Sequence, residues 1–362
     1  MAGHVSRPLA SLALALCLCP ALAGCGSRES IGDSSLRVLG AGVVNDPANK
    51  SLRFDILKFG LDRFCFEMTR RGAPLKLSDD QPVIGRFFAE TCQSQVLDDE
   101  SRKSFVIQYS GKGYGWTNLS GRLGFSSAGL VEYAPDFQMH EGAMYIYFRP
   151  RNVDATRFST LMVESSFARA GMAVTGLNPD QLGKNLVQGQ LQRGFTVIRY
   201  SKSGETDFGL GYVQKGKKPF KPFTVQHSEK LTLANDRTEV HTGQQDFIGG
   251  FEVAGDDQAL YLTLSADGAP AVDVLLLNKG TGDLMIDQYV KNPGPSSTTF
   301  TPLLDEPLPS GQLWKRYVRV PKGVYYVLID HSNRVGRTSP TTPTTDDRAA
   351  KVDYLVQLGP GP

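Results

Sequence analysis

The apolar residues change spacing three times along the chain. From Leu9 to Leu22 they form an almost unbroken run, interrupted only by Ser11 and Pro20. That run is too short to span a bilayer as a helix and has the length of the apolar core of a signal peptide. From Ser51 to Arg71 the spacing becomes helical. Phe54, Leu57, Leu61, Phe64 or Cys65, and Met68 recur every three or four residues on one face. A second helix is predicted after Pro82, with Val83, Ile84, Phe87, Phe88 and Cys92 on one face. A third is predicted to start at Asn178-Pro179, an N-cap followed by a proline at the first helical position. It would carry Leu182, Leu186, Val187 and Leu191 inward and stop at Gly194. Between the second and third helices, and again from His227 to the end, β-branched and aromatic residues alternate and are punctuated by Gly, Asn, Asp and Pro. These are strand and turn signals.

The pattern divides the chain. Residues 1–24 read as a signal segment and 25–48, rich in Ser, Gly and Asp, as a flexible tether. Residues 49–213 read as an α+β domain, an antiparallel sheet with two or three helices. Residues 214–226, containing "QKGKKPFKPF", read as a linker, with a contact to an anionic surface as the second reading of the four lysines. Residues 227–362 read as an all-β sandwich of jelly-roll-like type, with long loops at Lys291–Gly311 and Arg334–Arg348.

Composition narrows the function. The 362 residues are 40% hydrophobic and 21% charged, enough chain for two cores. A net charge of +2 lacks the basic excess of a nucleic-acid binder, so no nucleic-acid partner is expected. The 38 glycines and 21 prolines favour short strands and turns.

The residues Leu22-Ala23-Gly24-Cys25 close the apolar run, and there the chain resembles the bacterial lipoproteins, whose lipobox has this form. The resemblance implies cleavage before Cys25, diacylglycerol on its sulfur and acylation of the new amine. Two or three acyl chains anchor a protein stably where one does not. Gly26 rather than Asp after the lipidated cysteine implies the outer membrane. Cys17 and Cys19 then leave with the signal. Cys65 and Cys92 remain in an oxidising compartment, where a lone pair forms a disulfide, the alternative being two separate buried thiols.

The C-terminal segments "FEVAGDDQALYLTLSADG", "AVDVLLLNKG", "VPKGVYYVLIDHS" and "VDYLVQLG" resemble in order the pre-peptidase C-terminal β-sandwich, which implies an accessory module without activity of its own. The arrangement of the Phe54–Met68 helix, the Gly-punctuated strands and the 178–193 helix resembles the tubular lipid-binding proteins, which implies an apolar groove.

Catalytic signals are absent. His140, His227, His241 and His331 do not pair at metal-ligand spacing, and there is no His-Glu-x-x-His or Gly-x-Ser-x-Gly. No metal and no cofactor is expected. The stretch "GKGYGW" lacks the spacing of a phosphate loop. Its Tyr114 and Trp116 are candidates to line a ligand groove, or core aromatics that need no ligand. The reading is a non-enzymatic, acylated envelope lipoprotein that binds or scaffolds envelope proteins, glycan or lipid. A lipid carrier and, third, an envelope-polymer hydrolase are the alternatives.

Overall fold

The computed structural model describes residues 46–61, 64–98, 103–118, 120–165, 178–200, 206–225, 230–297, 301–338, 340 and 349–362. The signal segment, Cys25 and nearly all of the tether lie outside the described residues. The described chain is mostly β. A 3-10 turn (Pro47–Asn49) leads into α1 (Lys50–Leu61) and α2 (Phe64–Arg70). Then come β1 (Ala73–Lys76), β2 (Val83–Asp98), β3 (Lys103–Thr117), β4 (Gly121–His140) and β5 (Ala143–Val163). Helix α3 (Pro179–Gln192) precedes β6 (Phe195–Tyr200) and β7 (Thr206–Leu210). The second half is β8 (Leu231–Val240), β9 (Gln244–Val253), β10 (Gln258–Asp267), β11 (Ala271–Asn278), α4 (Lys279–Lys291), β12 (Leu304–Pro309), β13 (Leu313–Arg319), β14 (Gly323–His331) and β15 (Ala350–Pro360).

Among the described residues these strands form two sheets. The large one has the order β13-β10-β15-β8-β2-β3-β4-β5-β6-β7, with β1 beside β2; the small one is β12-β11-β14-β9. Neighbours pair antiparallel, except that β2 and β8 meet through one parallel bridge, Val83 to Thr238. The large sheet therefore runs across both halves of the chain.

Helices α1 and α3 cover one face of the first half. Phe54, Leu57 and Val187 pack there with Phe87, Phe105, Phe125, Tyr133, Phe148 and Phe195. Helix α3 begins where Asn178-Pro179 predicts, the Asn178 side chain accepting from the Asp180 N–H. In the second half the small sheet stacks on the β13-β10-β15-β8 part of the large one. Leu260, Leu262, Leu264, Val274, Leu276, Val327, Ile329 and Val356 fill the space between them, as in a β-sandwich.

Two expectations from periodicity fail for physical reasons. The segment after Pro82 is not a helix but β2. Phe87 enters the helix-covered core, while its neighbour Phe88 turns to the opposite face and packs near Tyr114 and Tyr326. A strand buried on both faces loses the polar–apolar alternation, and its apolar cluster then imitates a helical stripe. The expected loop from Lys291 to Gly311 contains β12, and the stretch just before it is α4. Gly280 and Gly282 weaken the helical pattern there. The Asn278 side chain nonetheless accepts from the Thr281 N–H as an N-cap, and Met285, Ile286, Tyr289 and Val290 are buried on one face.

Cys65 and Cys92 are joined, with Cα atoms 5.1 Å apart. The bond ties α2 to strand β2 rather than two helices to each other. It closes a loop of 27 residues, which in the chain-entropy account is worth about 3.5 kcal/mol. Replacing both cysteines with serine is expected to lower unfolding stability by about that amount in urea denaturation.

The segment from Gly211 to Val225 leaves residues 214–218 exposed and is held at several backbone points. Asp79 accepts from the backbone N–H groups of Leu210 and Phe220, and Asn235 exchanges hydrogen bonds with the backbone of Phe223. The Phe220 ring lies between Lys76 and Arg237, 5.8 and 5.3 Å away.

Candidate functional surface

The single β2–β8 bridge would join the halves weakly; side chains do most of the joining. Arg86 of β2 is buried and forms a fork with Asp246 of β9, Nε to Oδ1 and Nη2 to Oδ2, both 2.7 Å. Its Nη2 also reaches the Tyr354 hydroxyl at 3.2 Å. The Tyr114 hydroxyl donates to Asp246 at 2.8 Å and accepts from the Phe247 N–H at 2.9 Å. Burial opposes the Arg86 charge, but Asp246 and the two phenols outweigh it and hold the guanidinium protonated. Burial, reinforced by Asp246, holds the Tyr114 phenol well above its ordinary value, so it stays a donor.

A second arginine serves the same junction. Arg122 of β4 donates to the carbonyls of Tyr289, Asn292 and Gly294 at 2.8–3.0 Å, and its guanidinium lies 3.6 Å from the Tyr289 ring centroid. It caps the C-terminal end of α4, where unpaired carbonyls collect negative charge. Lys112–Asp287, Lys76–Asp236 and Arg70–Glu252 add ion pairs across the boundary. The backbones also touch: a Cβ on Gly250, whose φ is +73°, would sit 1.6 Å from the Arg70 carbonyl oxygen.

Tyr114 and Trp116, the sequence candidates for a ligand groove, both lie at this junction. Tyr114 is 4% exposed and its hydroxyl is fully engaged. Trp116 stacks face to face on His241 at 3.7 Å. They border a crevice of about 10 Å³ together with Arg122, Gln244 and Asp246, the room of roughly one water molecule. Both make contacts that cross the junction, Tyr114 to Asp246 and Phe247, Trp116 to His241.

The open surface lies elsewhere, on the sandwich. Strand β13 ends the large sheet among the described residues. Alternation sends Trp314 and Val320 into the core and turns Leu313, Lys315, Tyr317 and Arg319 to solvent. Leu313 and Tyr317 are each 58% exposed. Beside β13, Tyr261, Thr263, Leu355 and Gln357 form the floor of a groove of about 450 Å³, with Phe223 to Val225 on its far side. The Lys230 ammonium lies 3.7 Å from the Tyr261 ring centroid, covering that ring. Arg316 turns the other way, forks onto Glu306 of β12 at 2.7 and 2.8 Å and stacks over Trp314. Its hydrogen bonds hold the Glu306 carboxyl below its ordinary value. Strand β12, the matching edge of the small sheet, carries Pro307 and Pro309, residues that spoil an edge for further pairing.

Sequence reasoning did not single out Leu313, Lys315, Tyr317 and Arg319. Their alternation is visible in "LWKRYVRV", but which strand ends a sheet is decided by partners distant in sequence.

Among the described residues no group of three or more His, Cys, Asp or Glu side chains is placed to hold a metal ion, and no helix is long and apolar enough to cross a membrane. No protein family matches the chain, and no curated protein matches it significantly.

Proposed function

We propose that this chain is an acylated lipoprotein of the outer membrane whose role is non-catalytic: it holds a binding surface at the membrane. Residues 1–24 are removed, Cys25 carries the acyl chains, 25–48 is the tether, and the two folded parts, 49–213 and 227–362, act as one rigid body. The second part is a jelly-roll-like accessory module, as its resemblance to the pre-peptidase C-terminal sandwich implies. The observation that carries the reading is Leu22-Ala23-Gly24-Cys25 closing the apolar run of Leu9–Leu22. The ion pairs across the junction support a scaffold with fixed geometry, and the exposed face of β13 supports a partner-binding role.

The packing favours this over a lipid carrier. The helix-covered face of the first half is filled by interlocking aromatic rings. The opening beside α3 at Leu75 and Leu186 has a volume of about 70 Å³, well below the several hundred Å³ of a ligand pocket. It also favours it over a hydrolase. Among the described residues, Asp330, whose carboxyl burial raises to about 7, is sealed from solvent among Gln245 and Ser332, where no polymer reaches it.

The test is metabolic labelling with a tagged fatty acid, followed by N-terminal mass mapping. The expected mature chain begins at acylated Cys25, and Cys25→Ser carries no label. An unlabelled wild-type protein, or label that survives the substitution, would overturn the reading.

A further inference from the structure

We propose that the free edge of β13 is a docking strand, on which an extended acidic segment of a partner protein adds as the next strand of the large sheet. This deepens the binding role inferred above and rests on it, but not on the acylation of Cys25.

A terminal strand turns every second N–H and C=O outward as a ready template for pairing. Proteins blunt such edges with proline or with very short strands. Here β12 has two prolines and β7, the opposite end of the large sheet, has five residues. Strand β13 has seven residues, each paired to β10 without a bulge, and no proline. Its solvent-facing side chains alternate in kind: Leu313, Lys315, Tyr317, Arg319. Lys315 and Arg319 form no ion pair among the described residues, unlike Arg316, which Glu306 neutralises. Directly opposed side chains on adjacent strands interact, and opposite charges are favourable there. An incoming strand with acidic residues facing Lys315 and Arg319, and an apolar residue facing Tyr317, matches this edge at every second position.

A second copy of the chain fits badly. Two-fold antiparallel pairing of β13 with itself, centred on Lys315, sets Lys315 against Lys315. Centred on Tyr317, it sets Lys315 against Arg319. Like charges directly opposite are unfavourable. A sugar platform also fits badly, because the Lys230 ammonium already occupies a position over the Tyr261 ring.

The probe is the capped peptide Glu-Thr-Val-Thr-Glu-Thr-Val, titrated by fluorescence anisotropy into the purified full chain. Binding is expected, weakening as salt rises. Lys315→Glu with Arg319→Glu should weaken it by at least about tenfold without changing the melting temperature, since both side chains are exposed. Two further peptides carry N-methyl groups on alternate amides, one on the odd set and one on the even. Strand addition requires that one set abolish binding and the other leave it, because only one row of amides faces β13. No binding at millimolar peptide overturns the proposal. So does equal binding of a peptide with lysine in place of glutamate, or equal binding of both N-methylated peptides, the signature of a diffuse charge contact. Fatty-acid labelling of Cys25 is scored separately, so failure of either leaves the other standing.

Discussion

Arg86→Met is expected to lower unfolding stability by about 3–5 kcal/mol, the range for breaking a buried ion pair by removing one partner. The loss comes less from the missing attraction than from the charge left behind. Asp246 is 3% exposed and would keep only the Tyr114 hydroxyl as a side-chain donor. A second substitution separates the two contributions. Asp246→Asn in the Arg86→Met background removes the stranded charge, while its side-chain oxygen still accepts from Tyr114. The double variant is therefore expected to be more stable than Arg86→Met alone. The pair also joins β2 to β9 across 160 residues of sequence, so wild type and both variants should unfold in one transition reported equally by both halves. A loss below about 1 kcal/mol, or a double variant weaker than the single one, would show that this junction does not depend on the pair.

The contrast between what the sequence disclosed and what it hid follows from the range of the interactions. Local chemistry was readable. Asn178-Pro179 marks a helix start because the cap and the fixed φ act within a few residues, and Gly194, with φ +66°, ends that helix. Glycine-punctuated alternation disclosed a β-rich chain. Elsewhere the signal was present but overridden. Burial of β2 on both faces erased its alternation, and two glycines masked α4 although Asn278 announced it. The candidate site was least legible. Tyr114 and Trp116 stood out as aromatics among glycines, and those glycines do mark close approach. What approaches, however, is the rest of the same chain: a Cβ on Gly111 would meet the Phe88 carbonyl oxygen at 2.2 Å, and one on Gly113 the Arg86 carbonyl oxygen at 2.4 Å. Whether an aromatic in such a stretch faces a ligand or a partner sheet depends on Asp246 and Tyr289, more than 130 residues away. The edge position of β13 is likewise a property of strand order, which no local window contains.

Asp330→Asn is expected to remove a pH dependence that the wild-type protein carries in its second half. Asp330 of β14 is fully buried. It accepts from Gln245 Nε2 at 2.7 Å and from the Ser332 hydroxyl at 2.8 Å. Burial raises its carboxyl to about 7; the hydrogen bonds from Ser332 and Gln245 oppose this, and Asp273, its cross-strand neighbour, adds to it. In the unfolded chain the same group titrates near its ordinary value of about 3.9. Between those two values the folded state holds a proton that the unfolded state has released, so stability falls as pH rises. The contribution is fully present below about pH 4, declines across the window, and is gone above about pH 7. Its full size is of the order of 4 kcal/mol, since the folded and unfolded values lie about three pH units apart and each unit is worth about 1.36 kcal/mol. Asparagine has nearly the same shape and cannot ionise. Its oxygen can still accept from Gln245 and Ser332, and the Ser332 hydroxyl can turn to accept from its amide. Other carboxyls titrate in the same range, so the informative quantity is the stability of Asp330→Asn minus that of wild type, taken from urea denaturation at each pH. That difference is expected to rise from pH 4 to pH 7 and then level off. A difference that stays flat across the window would mean that Asp330 is ionised when folded, and that Gln245 and Ser332 stabilise a carboxylate rather than a carboxylic acid.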